Sequence, residues 1–241
     1  IREGRSIIMK IKDIKIKQIS VPLNTPFKTA LRTVKSVEDI IVEIYTDTGN
    51  VGFGEAPPTG AITGDTTGAI KGAIEDHIKK SITGMDIENF ESIIKKLNGC
   101  IVKNTSAKAA VDIALHDLYG QLYKAPLYKL LGGFRKEITT DITISVNEPE
   151  EMVKDSIKAI KKGYKTLKIK VGVDSKKDLE RIKAIRQAVG YDVDLRIDAN
   201  QGWKPKEAVR VLKKMEDENL KIELVEQPVT ACDIEGLKFV T

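Results

Sequence analysis

From residue 139 onward the chain repeats one pattern four times: a short apolar run, then a helix-forming stretch with one apolar stripe. "ITTDITISV" reads as a strand. "EPEEMVKDSIKAIKKG" reads as a helix with Met152, Val153, Ile157 and Ile160 apolar and Gly163 as its stop. "KTLKIKVG" is the next strand, and "SKKDLERIKAIRQAVG" the next helix, carrying Leu179, Ile182, Ile185 and Val189. "VDLRIDANQGW" is followed by "KPKEAVRVLKKMEDE", with Pro205 near the helix start, and "KIELVEQPV" by a short helical stretch. Parallel neighbours cannot be joined by a tight turn and need a crossover, which these helices supply. The alternation therefore restricts this part of the chain to a parallel sheet or a (β/α) barrel.

Charge interrupts three of these strands at the end that faces the active site in such folds. Lys170, Asp198 and Glu226 close successive strands, and each interval is 28 residues. One strand–helix unit is about that long, since a βαβ motif takes roughly 30 residues. The three side chains therefore occupy equivalent places on neighbouring strands. Taken singly, each has a plain alternative. Lys-x-Lys recurs in this lysine-rich chain, as with Lys15 and Lys17 on a solvent-facing strand, and Asp198 could cap a helix. Shared register is what those alternatives do not require.

Strand alternation puts Lys168 on the same face as Lys170. Repulsion between adjacent ammonium groups is expected to lower at least one of their pKa values, and a metal charge nearby lowers it further. A lysine so tuned can act as a neutral base. Asp198 and Glu226 offer hard oxygen ligands suited to Mg2+. A base beside a carboxylate-binding metal suits proton abstraction α to a carboxylate, with the metal stabilising the enediolate.

Residues 9–137 follow a different grammar. "MKIKDIKIKQISV" alternates Ile with polar residues, as a half-exposed strand does. "VEDIIVEIYTDTGNVGFGEA" reads as a hairpin turning at Asp47–Asn50. Helical patterns follow near 65–82, 87–97 and 106–122, the last with Ala109, Ala110, Ile113, Ala114 and Leu118 on one apolar side. Residues 1–8 precede the first strand pattern and are set aside as an upstream extension or expression remnant. The fold expected is α/β: an N-terminal α+β capping domain (9–137), then a (β/α) TIM-like barrel (138–241) of which about the first half is present.

The two histidines, His77 and His116, are too few for a histidine-rich metal site. Cys100 and Cys232 stand in no ligand spacing, so a reduced, cytoplasmic setting is expected. The net charge is +5, but the lysines are spread along the chain and aromatics are 5%, which argues against nucleic-acid binding. No apolar run approaches the roughly 20 residues of a membrane span. The expected partners are a small carboxylate substrate and other copies of the chain in a homo-oligomer.

At these residues the chain resembles the enolase superfamily, muconate-lactonizing subgroup. "TLKIKVG", "RIDANQGW" and "LVEQPV" are similar to its base strand and first two metal-ligand strands. "AAVDIALHDLYGQLYKAPLYKLLGG" is similar to the helix and linker that join cap to barrel. The resemblance implies Lys170 as the base on one substrate face, with Lys168 as its electrostatic partner and a substrate contact. It makes Asp198 and Glu226 the ligands of Mg2+. Within the subgroup, "TPFKTALRT" and "PPTGAITGDT" resemble the cap loops of dipeptide epimerases acting on Ala-Glu type dipeptides. Arg32 would then pair with an acidic substrate side chain, and Thr143 would contact substrate. Asn200 would support the metal ligands. Cycloisomerase and o-succinylbenzoate synthase-like relatives share the same core and imply an alternative. Asp112 and Asp117 are expected to orient their helix on the cap and His116 to be structural, while Trp203 fits packing and function equally.

A full barrel takes about 250 residues, 200 at the low end. Residues 139–241 supply four strand–helix units, so the resemblance implies a chain cut short. The family's third metal carboxylate and opposite-face lysine would lie beyond Thr241. A fragment without activity, serving only as an assembly module, is the remaining alternative.

Overall fold

A computed structural model describes residues 8–241. The proposed upstream extension, 1–8, lies outside the described residues but for Ile8. The chain divides into two compact units: residues up to 22 with 36–136, and residues 23–35 with 137–241.

The first unit is built on a three-stranded sheet of order β1 (Ile11–Lys28), β2 (Thr33–Thr46), β3 (Val51–Ala56). β2 and β3 are antiparallel, with Ile44 opposite Gly52 and Val42 opposite Gly54. Lys15 and Lys17 on β1 are exposed, as the alternation predicts. α1 (Thr67–Gly72), a π-helical turn (Ala73–Ile78) and α2 (Lys79–Ile82) run on without a break. A 3-10 turn (Ile87–Asn89), α3 (Phe90–Gly99), α4 (Thr105–Leu122) and the short α5 (Leu127–Leu130) follow.

α4 lies directly on β3. A Cβ on Gly54 would collide with the Ala110 carbonyl, and one on Gly52 with the Ala114 carbonyl, so glycine permits the approach. The Phe53 amide donates to Asp117 Oδ2 at 3.0 Å, as expected for a residue orienting this helix. Asp112 instead lies 3.5 Å from His116 Nδ1. The buried stripe of α4 is Ala107, Ala110, Val111, Ala114, Leu115 and Leu118. Ala109 and Ile113, expected inside, face outward, because the close fit on β3 turns small residues toward the sheet. His116 packs edge-on against Phe90.

The second unit is a four-stranded parallel sheet of order β4 (Ile142–Ile144), β5 (Thr166–Lys170), β6 (Asp194–Asp198), β7 (Ile222–Glu226). The helices are α6 (Pro149–Lys161), α7 (Ser175–Val189), α8 (Pro205–Asp217) and α9 (Ile234–Val240). Leu167, Ile169, Leu195 and Ile197 share one core with Met152, Ile182, Ile185, Val211 and Met215 of α6–α8. Side chains at the alternate strand positions therefore project from the opposite face.

Two helix faces differ from the apolar stripes expected. On α6, Ser156 is buried with its hydroxyl donating to the Met152 carbonyl, while Ile157 is exposed. On α7, charged Asp178, Arg181 and Arg186 are buried beside Ile182 and Ile185. Arg186 is satisfied by the carbonyls of Gly190, Val193, Leu220 and Lys221, which makes it a staple between the end of α7 and the start of β7.

Candidate active site

Register puts the three strand-end residues in one row. Lys170 is the Cα partner of Asp198, and Asp198 of Glu226. One row back, Thr143 pairs with Lys168, and Lys168 with Arg196. The Asp198–Glu226 match depends on an irregularity. Leu195 pairs with Ile222, yet Arg196 pairs with Leu224, so Glu223 is an extra residue in β7. This bulge re-aims the end of the strand: without it Val225, not Glu226, would face Asp198. The Glu223 carboxylate is held in a fork by Arg196, with Nε–Oε2 2.8 Å and Nη2–Oε1 3.2 Å, and Asp141 meets the same guanidinium at 3.2 Å.

In the strand-end row the side chains form one ionic cluster. Lys170 Nζ donates to Asp198 Oδ2 at 2.6 Å. Lys168 Nζ lies 3.1 Å from that oxygen and 2.6 Å from Glu226 Oε2, bridging the two carboxylates. Lys170 is 7% exposed and Asp198 1%, whereas the Glu226 side chain is 47% exposed. The cluster thus runs from a buried end at Lys170 to an open end at Glu226.

Burial raises the pKa of Asp198, but the hydrogen bonds from Lys170, the Asn200 amide and Lys168 outweigh it and hold the group low. For Lys168, burial works against the charge, and the hydrogen bonds to Glu226 and Asp198 carry the balance upward. The depression expected from two neighbouring lysines is therefore corrected for Lys168. Each ammonium shares a carboxylate with the other, and attraction to those anions exceeds the mutual repulsion.

Hydrogen bonding continues past the strand ends. The Val171 amide donates to the Asp198 carbonyl, Ala199 to Glu226, Gln201 to Gln227 and Trp203 to Pro228. Asn200, Gln201 and Gln227 adopt left-handed backbone conformations, which turn the chain sharply beside the cluster. Gly172 has φ +97, and a Cβ there would strike the Ala199 carbonyl.

Asp178, Arg181 and Trp203 are buried and support these loops, and the sequence pattern points only to Trp203, for packing or function. Asp178 accepts from the Gly172 amide (2.8 Å), Trp203 Nε1 (3.0 Å) and Arg181 Nη1 (2.8 Å). Arg181 Nε donates to the Asn147 carbonyl at 2.8 Å. The available sequence signal was an acid and a base three residues apart on the apolar side of α7, next to Ile182.

Residues 23–35 belong to this unit and meet the end of β4. Lys28 Nζ donates to Asn147 Oδ1 at 2.6 Å, and the Phe27 ring lies 5.9 Å from Lys170 Nζ. Arg32 sits in a turn closed by the Thr29 amide donating to the Arg32 carbonyl at 3.0 Å. Its side chain is exposed and touches none of Lys168, Lys170, Asp198 or Glu226. Thr143 is half-buried beside Lys168.

The donor set suits a hard cation. Asp198 and Glu226 present oxygens to a common cation, the Lys168 ammonium, and no thiolate or imidazole is among them. Asn200 Oδ1 is buried without a hydrogen-bond partner beside Asp198, an acceptor that a cation or its bound water would satisfy. Among the described residues no group of three or more His, Cys, Asp or Glu gathers, so these carboxylates make a partial set. No helix among the described residues is long and apolar enough to cross a membrane.

Comparison with known proteins places this chain in a family. Residues 11–132 match the mandelate racemase / muconate lactonizing enzyme N-terminal domain, and residues 151–241 match the enolase C-terminal domain-like model. The chain is 67% identical over 233 residues to the L-Ala-D/L-Glu epimerase of Clostridium acetobutylicum, covering 97% of this chain and 65% of that protein. The substrate-liganded L-Ala-D/L-Glu epimerase of Bacillus subtilis superposes with a TM-score of 0.94 at 52% identity, over 96% of this chain and 65% of that one. The dipeptide epimerase of Enterococcus faecalis, complexed with Mg and the dipeptide L-Leu-L-Tyr, gives 0.92 at 44% identity, with coverage of 96% and 65%. The chain thus spans about two thirds of the length of these relatives.

Proposed function

The chain belongs to the mandelate racemase / muconate lactonizing enzyme family of the enolase superfamily, and from that premise we propose that the protein is a Mg2+-dependent epimerase of Ala-Glu type dipeptides. The reaction is proton transfer at the carbon α to the carboxylate of the C-terminal residue. The observation that carries the proposal is the in-register row of Lys170, Asp198 and Glu226 with Lys168 bridging its acids. The names of the similar proteins support the substrate class.

Asp198 and Glu226 would hold Mg2+, with Asn200 beside them. When bound, the ion would draw off negative charge building on the substrate carboxylate. Lys170, at the buried end of the cluster, removes or returns the α-proton from one face. Its shielding from solvent keeps water from competing for that proton. Lys168 balances charge across the two carboxylates and contacts the substrate carboxylate. Thr143, one strand over, contacts substrate beside it. Arg32 has no side-chain partner among the described residues, and its guanidinium fork is free to take an acidic substrate side chain. Inversion needs a second base on the opposite face, a role that no residue of this cluster fills. We place the protein in the cytoplasm as a homo-oligomer.

The test is exchange of the α-proton of Ala-Glu dipeptides in D2O with Mg2+, followed by NMR. Exchange at a single face needs only one base, so it reads Lys170 directly. No deuterium incorporation with any Ala-Glu diastereomer would sink the proposal.

A further inference from the structure

Asp178 is fully buried on α7, and the chemistry proposed above leaves it without a part. One of its oxygens, Oδ2, accepts from both the Gly172 amide and the Trp203 indole. The other, Oδ1, takes Arg181, which reaches on to the Asn147 carbonyl. Gly172 follows β5, Trp203 follows β6 and Asn147 follows β4. One carboxylate and one guanidinium therefore tie together the loops that leave three neighbouring strands. Each tie lies close to a working side chain. Gly172 is two residues beyond Lys170, and the loop from Asp198 to Trp203 carries Asn200. Asn147 also accepts from Lys28, in the turn segment that contains Arg32.

We propose that Asp178 and Arg181 are positioning residues, a buried clamp that holds the β4, β5 and β6 loops so that Lys170 and Asp198 keep their alignment. This rests on the reading of Lys170 as the base. The chemistry of the pair argues for it. Two charges in an apolar core are a poor source of stability, since a well-packed apolar pair of similar size often does as well or better. What apolar side chains cannot supply is direction. Donors from two separate loops and Arg181 of α7, which itself holds the third loop, converge on one planar group, and their angles fix the loops relative to one another. Reacting groups displaced by about 1 Å can lose about a hundredfold in rate, so such control has a functional use.

The distinguishing variant is Asp178→Leu with Arg181→Met in the same chain, which removes both charges together and leaves neither unpaired. If the pair only stabilises the core, this variant should change thermal stability alone and keep the Gly172 protection and the kcat of the unaltered protein. The clamp predicts otherwise. Thermal stability should fall somewhat, because the Gly172 amide and the Trp203 indole lose their acceptor, while amide hydrogen exchange at Gly172 rises about tenfold or more relative to Ile197 in the β6 core. The rate of α-proton exchange should fall about tenfold or more in kcat with KM within about threefold. Unchanged Gly172 protection and unchanged kcat would overturn the proposal. Should the double variant not fold, Trp203→Phe keeps an aromatic ring and deletes the Nε1 donor, at the cost of some buried volume. It should lower kcat several-fold, and kcat equal to that of the unaltered protein would count as refutation. If the unaltered protein exchanges no α-proton at all, the functional reading fails, and the clamp is then decided by Gly172 protection alone.

Discussion

Lys170 and Asp198 stand 28 residues apart in the chain, yet the ammonium and carboxylate meet at 2.6 Å because their Cα atoms are register partners on adjacent parallel strands. The pair is nearly sealed from solvent. Its neighbour Lys168 points the same way and spans Asp198 and Glu226. The first two predictions follow from this asymmetry.

Lys170→Ala should abolish exchange of the substrate α-proton from one face, a loss of about 10²–10⁴ typical of a general base. Lys168→Ala should impair exchange less cleanly, because its part is electrostatic. Deuterium incorporation into each diastereomer, followed by NMR, reads both variants. Retention of exchange from both faces in Lys170→Ala would remove Lys170 from the mechanism.

Asp198→Asn should weaken Mg2+ binding about tenfold or more, since a hard cation loses a charged oxygen ligand. Calorimetric titration with Mg2+ measures this without any turnover. An affinity equal to that of the unaltered protein would take the metal away from this residue.

The bulge at Glu223 gives a sharper test of geometry. Deleting Glu223 removes the extra residue, so Leu224 follows Ile222 directly and Glu226 still faces Asp198 at the strand end. Mg2+ affinity should therefore stay within about threefold of that of the unaltered protein, although the strand is one residue shorter. A loss as large as that in Asp198→Asn in a folded deletion variant would show that register with Asp198 is not what places Glu226.

The cap should show a pH dependence of its own. Glu43 is buried on β2, where the Lys17 ammonium and then the Tyr45 hydroxyl hold its carboxyl below the ordinary value. A depressed folded pKa means that the carboxylate stabilises the fold above the unfolded value, about 4.3, and that this is lost as pH falls through the folded value. Glu43→Gln should therefore lower Tm at pH 7 and narrow the gap to the unaltered protein at pH 3. An equal gap at both pH values would contradict the assignment.

Much of the site could be read from the chain because it is periodic. Equal spacing of Lys170, Asp198 and Glu226 follows from equal strand–helix units, and side-chain alternation puts Lys168 beside Lys170. The helix faces were less legible. Ile113 and Ile157 fit apolar stripes and yet lie outside, while Ser156 and Asp178 lie inside. Hydropathy records the cost of burying a side chain alone. It does not record a carbonyl one turn back or an indole on another loop that removes that cost.

The sequence by itself determined the alternation of strands and helices, the apolar face of the parallel sheet, and the spacing that brings three charged residues to one end. These are properties of nearest neighbours and of period. Tertiary structure alone decided the rest. The Glu223 bulge corrects the register of the last strand, the shared carboxylates keep Lys168 charged beside Lys170, and Asp178 with Arg181 binds three loops at once. Each depends on groups far apart in the chain that come together only when the sheet and its helices have packed, and no local pattern encodes a partner at that distance.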